Sequence, residues 1–177
     1  ILGDTLEKIA TEKAGIIKEN IPVVIGEYLP ETKPVFETKA ANENAPIHFA
    51  SEKYSVKNIV LQTHLLSCDL LNTLNGKAST FTLDLNGIYQ TNNLRTILTA
   101  TDILVQQEIK ISTETIQHAL QRVKALTGLH GRWEVIADQP TIVLDVAHNE
   151  DGIKQVLKQL GLLHDQYNSL HIIIGMV

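Results

Sequence analysis

The stretch from Gly131 to Leu160, GRWEVIADQPTIVLDVAHNEDGIKQVLKQL, decides how the chain is read, because strand, turn, strand, polar corner and helix follow one another in it. Thr141 to Leu144 is a short β-branched and apolar run, suited to a strand buried on both faces. It breaks into Asp145-Val146-Ala147-His148-Asn149 before a helix. In that helix Ile153, Val156, Leu157 and Leu160 recur at i, i+3, i+4 and i+7, Asn149 stands at the N-cap, and Glu150 and Asp151 occupy the first turn, where the helix dipole favours acids. The pattern predicts Asp145 at the carboxyl end of a parallel strand, the end where open α/β sheets bind ligands. The plain structural alternative is that Asp and Asn are what any strand-to-helix corner needs.

Working outward, the opening LGDTLEKIATEKAGIIK also reads as a helix. With Asp4 or Thr5 as cap, Leu6, Ile9, Ala10 and Ile17 make one stripe, and Lys13 falls inside it at i+7 from Leu6. A lysine there either snorkels, methylenes on apolar surface and ammonium in water, or is held where its charge is changed or used. Pro22 to Gly26 and Ile47 to Ala50 read as buried strands, joined by a polar helix from Thr32 or Pro34 to Asn44. Strand, helix, strand in that order implies parallel α/β architecture. From Tyr54 to Asn86 the texture becomes alternating, with Asn75-Gly76 and Asn86-Gly87 as turn signals, which predicts a small antiparallel excursion. A long helix opening at Gly87 to Asn93 follows, its buried face Leu94, Ile97, Leu98, Thr101, Leu104 and Val105; a second is capped by Ser112 and ends at Thr127-Gly128. His171 to Met176 reads as a central strand.

Composition bounds the function. A chain of 177 residues that is 44% hydrophobic, 20% charged and at net charge −5 can bury a sizeable core. Its scattered Lys and Arg and mild acidity argue against nucleic acid, and no apolar run is long enough for a membrane span. The single Cys68 excludes an internal disulfide and fits a reducing, cytoplasmic setting. Asn75-Gly76-Lys77-Ala78-Ser79 imitates a phosphate loop but fails it: Leu71 stands where the early Gly is required and Ala78 where the hydroxyl is. Ile1-Leu2-Gly3-Asp4 has no initiator Met and no signal-peptide pattern, and reads as a cut inside a longer protein.

Two segments carry a family resemblance. Gly131-Arg132-Trp133-Glu134 followed by Asp145-Val146-Ala147-His148-Asn149 resembles the GR-x-E and DxAHN signature of folylpolyglutamate synthase / dihydrofolate synthase, a member of the Mur ligase superfamily. Leu2, Gly3, Thr5, Ile9, Ala10, Glu12, Lys13, Ala14, Gly15, Ile16 and Lys18 match that family's LG-x-T-x-x-x-IA-x-EKAGI-x-K motif, and Gly87, Tyr89, Gln90 and Asn93 its G-x-H/Y-Q-x-x-N stretch, although Leu94 replaces the usual Ala. The resemblance implies an α/β fold: the rear part of a P-loop-type ATPase domain with the antiparallel excursion at 1–128, then the first βαβ of a Rossmann-like C-terminal domain at 129–177. The phosphate loop and most metal ligands would precede Ile1.

The resemblance further implies ATP and Mg²⁺, ligation of L-glutamate to a folate or dihydropteroate through an acyl phosphate, and a monomeric full-length enzyme. Lys13, carbamylated, would become an anionic oxygen ligand for the cation, which an ammonium cannot be. Asn93 would contact the nucleotide, and Arg132 and Asp145 the phosphate end and ribose side of ATP. His148 is carried as a catalytic candidate, although a lone loop His more often serves as a hydrogen-bonding corner residue. Arg132 has its own plain alternative, a surface ion pair with Glu134. Other readings are a Mur-type ligase for cell-wall precursors, a hydrolase whose metal is held by Asp145 and His148, and a non-catalytic nucleotide-binding module; the hydrolase lacks further ligands at suitable spacing.

Overall fold

The Thr5 hydroxyl accepts the Lys8 N–H and starts α1 (Leu6–Ala14), the first element of the computed structural model, which describes residues 5–175. Leu2, Gly3 and Asp4 of the opening motif, and Met176 of the final apolar run, lie outside the described residues. Along α1 and the turn after it the buried residues are Ala10 at 2%, Ala14 at 3% and Ile17 at 3% exposure, while Leu6 is 47% exposed. Lys13 is therefore not inside a buried stripe: it is exposed, in the last turn, where a cation suits the helix dipole. The face of α1 that is buried carries Ala10 and Ala14, which pack in one cluster with Phe36 and Ala40 of α2 (Lys33–Asn42), and Lys13 lies off that face.

Pro34 in the first turn of α2 loses no helical hydrogen bond there. The β-branched strands β1 (Val23–Ile25) and β2 (Ile47–Phe49) pair in parallel, Val23 opposite Ile47, and Val23, Ile25 and Ile47 close the same cluster of apolar side chains. After the short α3 (Ala50–Lys53), β3 (Tyr54–Leu61), β4 (Leu66–Asn72) and β5 (Ala78–Leu83) form a three-stranded sheet in chain order. Ser67 bonds to Thr82 and Asp69 to Thr80, so the partner's number falls as the strand advances, as antiparallel neighbours require. The predicted excursion is thus present.

The chain then runs through α4 (Gln90–Gln106), α5 (Thr113–Leu120), α6 (Val123–Thr127), β6 (Glu134–Asp138), β7 (Thr141–Leu144) and α7 (Glu150–Leu162), and ends in a 3₁₀ turn, His164–Gln166, and irregular chain. Helix α4 buries Thr91, Leu94, Leu98, Thr99 and Ile103, and leaves Ile97, Leu104 and Val105 exposed, so its inward face is rotated from the expected one. Thr99 can be buried because its hydroxyl donates to the Arg95 carbonyl one turn back. The single helix expected between Ser112 and Gly128 is instead two, α5 and α6, because Arg122 leaves the helical conformation at φ −137° and ψ 24°; the outer ends lie where expected, with Ser112 accepting the Thr115 N–H and Gly128 in the left-handed conformation at φ 67°.

Strand β7 departs from expectation. It pairs antiparallel with β6 alone, and Ile142, Val143 and Leu144 are 43%, 36% and 47% exposed rather than buried on both faces. Among the described residues no strand lies on its other edge, because 171–175 is irregular here. Asp145 accordingly follows a hairpin strand. Contacts divide the chain into two units, 1–57 with 70–79 and 91–111, and 58–69 with 80–90 and 112–177.

Candidate functional site

The hairpin ladder brings the GRWE and DVAHN segments together. Glu134 pairs with Leu144, so the residues just beyond that rung, Trp133 and Asp145, face each other, and the Trp133 N–H donates to Asp145 Oδ2 at 2.9 Å. The Ala147 N–H donates to Asp145 Oδ1 at 2.8 Å and the Tyr89 hydroxyl to Oδ2 at 3.0 Å. Asp145 thus ties together the approach to the hairpin, the corner after it and the turn before α4. Oδ2 holds two donors and Oδ1 one, which leaves Oδ1 capacity for another among the described residues.

Glycine is required at the entry to this loop. Gly131 has φ 69°, and a Cβ there would lie 2.5 Å from Val146 Cγ1, where the Val146 N–H meets the Gly131 carbonyl at 2.9 Å. Trp133, with φ 49°, also takes the left-handed region, unusual for a bulky side chain, and is only 4% exposed. Arg132, between them, is exposed.

Glu134 does not pair with Arg132. Its carboxylate accepts the Gly131 N–H at 2.8 Å and lies 2.8 Å from His130 Nδ1. Gly131 first, then His130, hold its carboxyl below the ordinary glutamate value. The surface ion pair that would have explained Arg132 structurally is absent among the described residues. Burial, then the Asp145 charge, pushes the Tyr89 phenol up, and the Arg132 charge opposes the rise, which places the guanidinium within electrostatic reach of the pair.

Asn149 caps α7 through the Gly152 N–H at 2.8 Å, as its position predicted. His148 is exposed, its Nδ1 3.1 Å from the Val146 carbonyl, the bond of a corner residue. Arg132, Asp145 and His148 therefore share one loop cluster in the second unit. Lys13 and Asn93 belong to the first, both exposed. Asn93 is inside α4 and not at its cap.

Among the described residues no group of three or more His, Cys, Asp or Glu side chains is placed to hold a metal ion. Two residues escaped the sequence reading. Tyr89 lay within a quoted motif without a role, and Gln159 interrupts the α7 stripe: it is 1% exposed, whereas Ile153 and Leu157, expected inward, are 39% and 54% exposed.

No family model matches the chain. It is 33% identical over 167 residues to a folylpolyglutamate synthase of Lacticaseibacillus casei, covering 94% of this chain and 38% of that protein. To a dihydrofolate synthase/folylpolyglutamate synthase of Bacillus subtilis it is 30% identical over 164 residues, 90% of this chain and 36% of that one. Among solved structures, a folylpolyglutamate synthase complex with AMPPCP and folate superposes with a TM-score of 0.80 at 32% identity, over 92% of this chain and 39% of that one. The chain thus spans under two fifths of the length of these relatives.

Proposed function

We propose that this chain, a homologue of folylpolyglutamate and dihydrofolate synthases over nine-tenths of its length, is an internal segment of an ATP-dependent ligase that joins L-glutamate to the carboxylate of a folate or dihydropteroate. The observation that carries the reading is the likeness, at 32% identity and a TM-score of 0.80, to a structure that holds an ATP analogue together with folate. In this reading the folate carboxylate takes the γ-phosphoryl group of ATP, ADP departs, and the glutamate amine attacks the acyl carbon and displaces phosphate.

The roles follow from charge and hydrogen-bonding capacity. Asp145 Oδ1 accepts a ribose hydroxyl, and Arg132, exposed and without an ion-pair partner among the described residues, neutralises phosphate charge. Asn93 offers an exposed amide to the nucleotide, and His148 a ring whose Nε2 is not engaged at the corner. Lys13, as its carbamate, contributes one oxygen to a Mg²⁺ whose other ligands lie outside this sequence. When bound, that ion would neutralise the transferring phosphate. The division at 1–128 and 129–177 is proposed on the left-handed stop at Gly128, although contacts within the chain group 112–128 with the residues that follow. The same reading takes the full-length protein as a cytoplasmic monomer; separately, no described helix is long and apolar enough to cross a membrane.

The test is ADP release by the full-length protein with ATP, glutamate and either dihydropteroate or a tetrahydrofolate. Folate-dependent turnover supports the reading and tells the two activities apart. Turnover only with a nucleotide-linked muramyl acceptor would transfer the chain to the cell-wall ligases, and none with any acceptor would leave a nucleotide-binding module.

A further inference from the structure

Gln159 makes little sense as packing. A leucine would fill the same buried space, and an amide removed from water is unfavourable unless both of its ends are paired. Both are, and on one turn: Oε1 accepts the Ile88 N–H at 2.6 Å and Nε2 donates to the Asn86 carbonyl at 2.9 Å. Asn86, 2% exposed, is itself anchored by Nδ2 to the Thr63 carbonyl. Gly87 comes next, and a Cβ there would fall 2.7 Å from Tyr89 Cε1, so the bare glycine lets the Tyr89 ring fold back over the turn. The ring's hydroxyl ends on Asp145 Oδ2. Among the described residues Asp145's other donors, the Trp133 and Ala147 N–H groups, come from its own hairpin and corner, and Tyr89 is the one that arrives from a distant segment.

We infer that Tyr89 and Gln159 are positioning residues for nucleotide use: the Tyr89 hydroxyl orients the Asp145 carboxylate, and the Gln159 amide holds the turn that carries Tyr89. The inference rests on the reading of Asp145 as a nucleotide-binding residue. Neither residue touches the nucleotide; each fixes which lone pair of the carboxylate stays available to it.

Steady-state kinetics of the full-length enzyme decide the matter, with Tyr89→Phe, Gln159→Met, their double variant and Asp145→Ala as reference. Tyr89→Phe deletes one oxygen, keeps the ring over Gly87, and should raise KM for ATP roughly fivefold, about 1 kcal/mol. KM for glutamate should stay within twofold of wild type. Gln159→Met, similar in size but without the amide, should give the same ATP-selective change, and the double variant should be little worse than the poorer single because both act on one carboxylate. An unchanged ATP KM in Tyr89→Phe, with Asp145→Ala impaired, overturns this inference and leaves the nucleotide reading intact. Equal rises in both KM values would return Gln159 to a packing role. If Asp145→Ala itself leaves the ATP KM unchanged, the nucleotide reading fails first.

Discussion

Lys13 shows how a single position can be prominent in the sequence and plain in the structure. Its exposure in the last turn of α1 means that truncation removes little: Lys13→Ala should change the stability of this chain by no more than about 0.5 kcal/mol in urea denaturation. If the proposed activity is right, the same change in the full-length protein should abolish glutamate addition, with partial rescue by acetate. Full activity in Lys13→Arg would end the carbamate reading, since a guanidinium neither takes up carbon dioxide nor ligates a cation. Glu134 makes a different prediction. Its folded pKa is depressed, so the unfolded chain binds the proton more readily; the stability it contributes is present above its ordinary value, about 4.3, and lost as pH falls through the lowered one. The urea midpoint of the wild type should fall more steeply than that of Glu134→Gln across this acidic window. Parallel curves would show that the Gly131 and His130 contacts do not persist in solution.

Elements were legible where their signals are local. Caps at Thr5, Ser112 and Asn149, the stop at Gly128 and the parallel pair Val23–Ile25 and Ile47–Phe49 were all readable from adjacent residues. The faces of helices were less so. Periodicity put Leu6 inward on α1 together with Ala10, but the face packed against Phe36 and Ala40 of α2 carries Ala10 and Ala14 and leaves Leu6 exposed; it put Ile153 and Leu157 inward on α7, whose fully buried residue is Gln159, because its partners lie more than 70 positions earlier. The loop before β6 is where an element depends most on one residue. Gly131→Ala must both hold φ 69° and push Val146 aside, and should destabilise by about 2–3 kcal/mol; Gly76→Ala, at φ 71° with open space around it, meets only the backbone term of about 1 kcal/mol. Denaturant titration of the two variants compares them directly, and a Gly131→Ala no worse than Gly76→Ala would mean that the loop moves freely.

At the scale of the molecule, Arg132 and Asp145 sit in one loop cluster, but the sequence contains no phosphate loop to grip the β- and γ-phosphates. The 177-residue chain alone should therefore neither hydrolyse ATP nor ligate glutamate, and calorimetry should detect no tight binding of ATP. A micromolar dissociation constant, about −8 kcal/mol, would mean that the Asp145 cluster suffices without it. The β6–β7 ribbon has a practical consequence for such a sample. Two strands whose outer edges pair with no further strand among the described residues, and exposed Ile142, Val143 and Leu144, offer a template on which another molecule can add a strand. Purified by itself, the chain should stay clear when dilute and turn cloudy on concentration, and Val143→Lys should raise the concentration at which it does so.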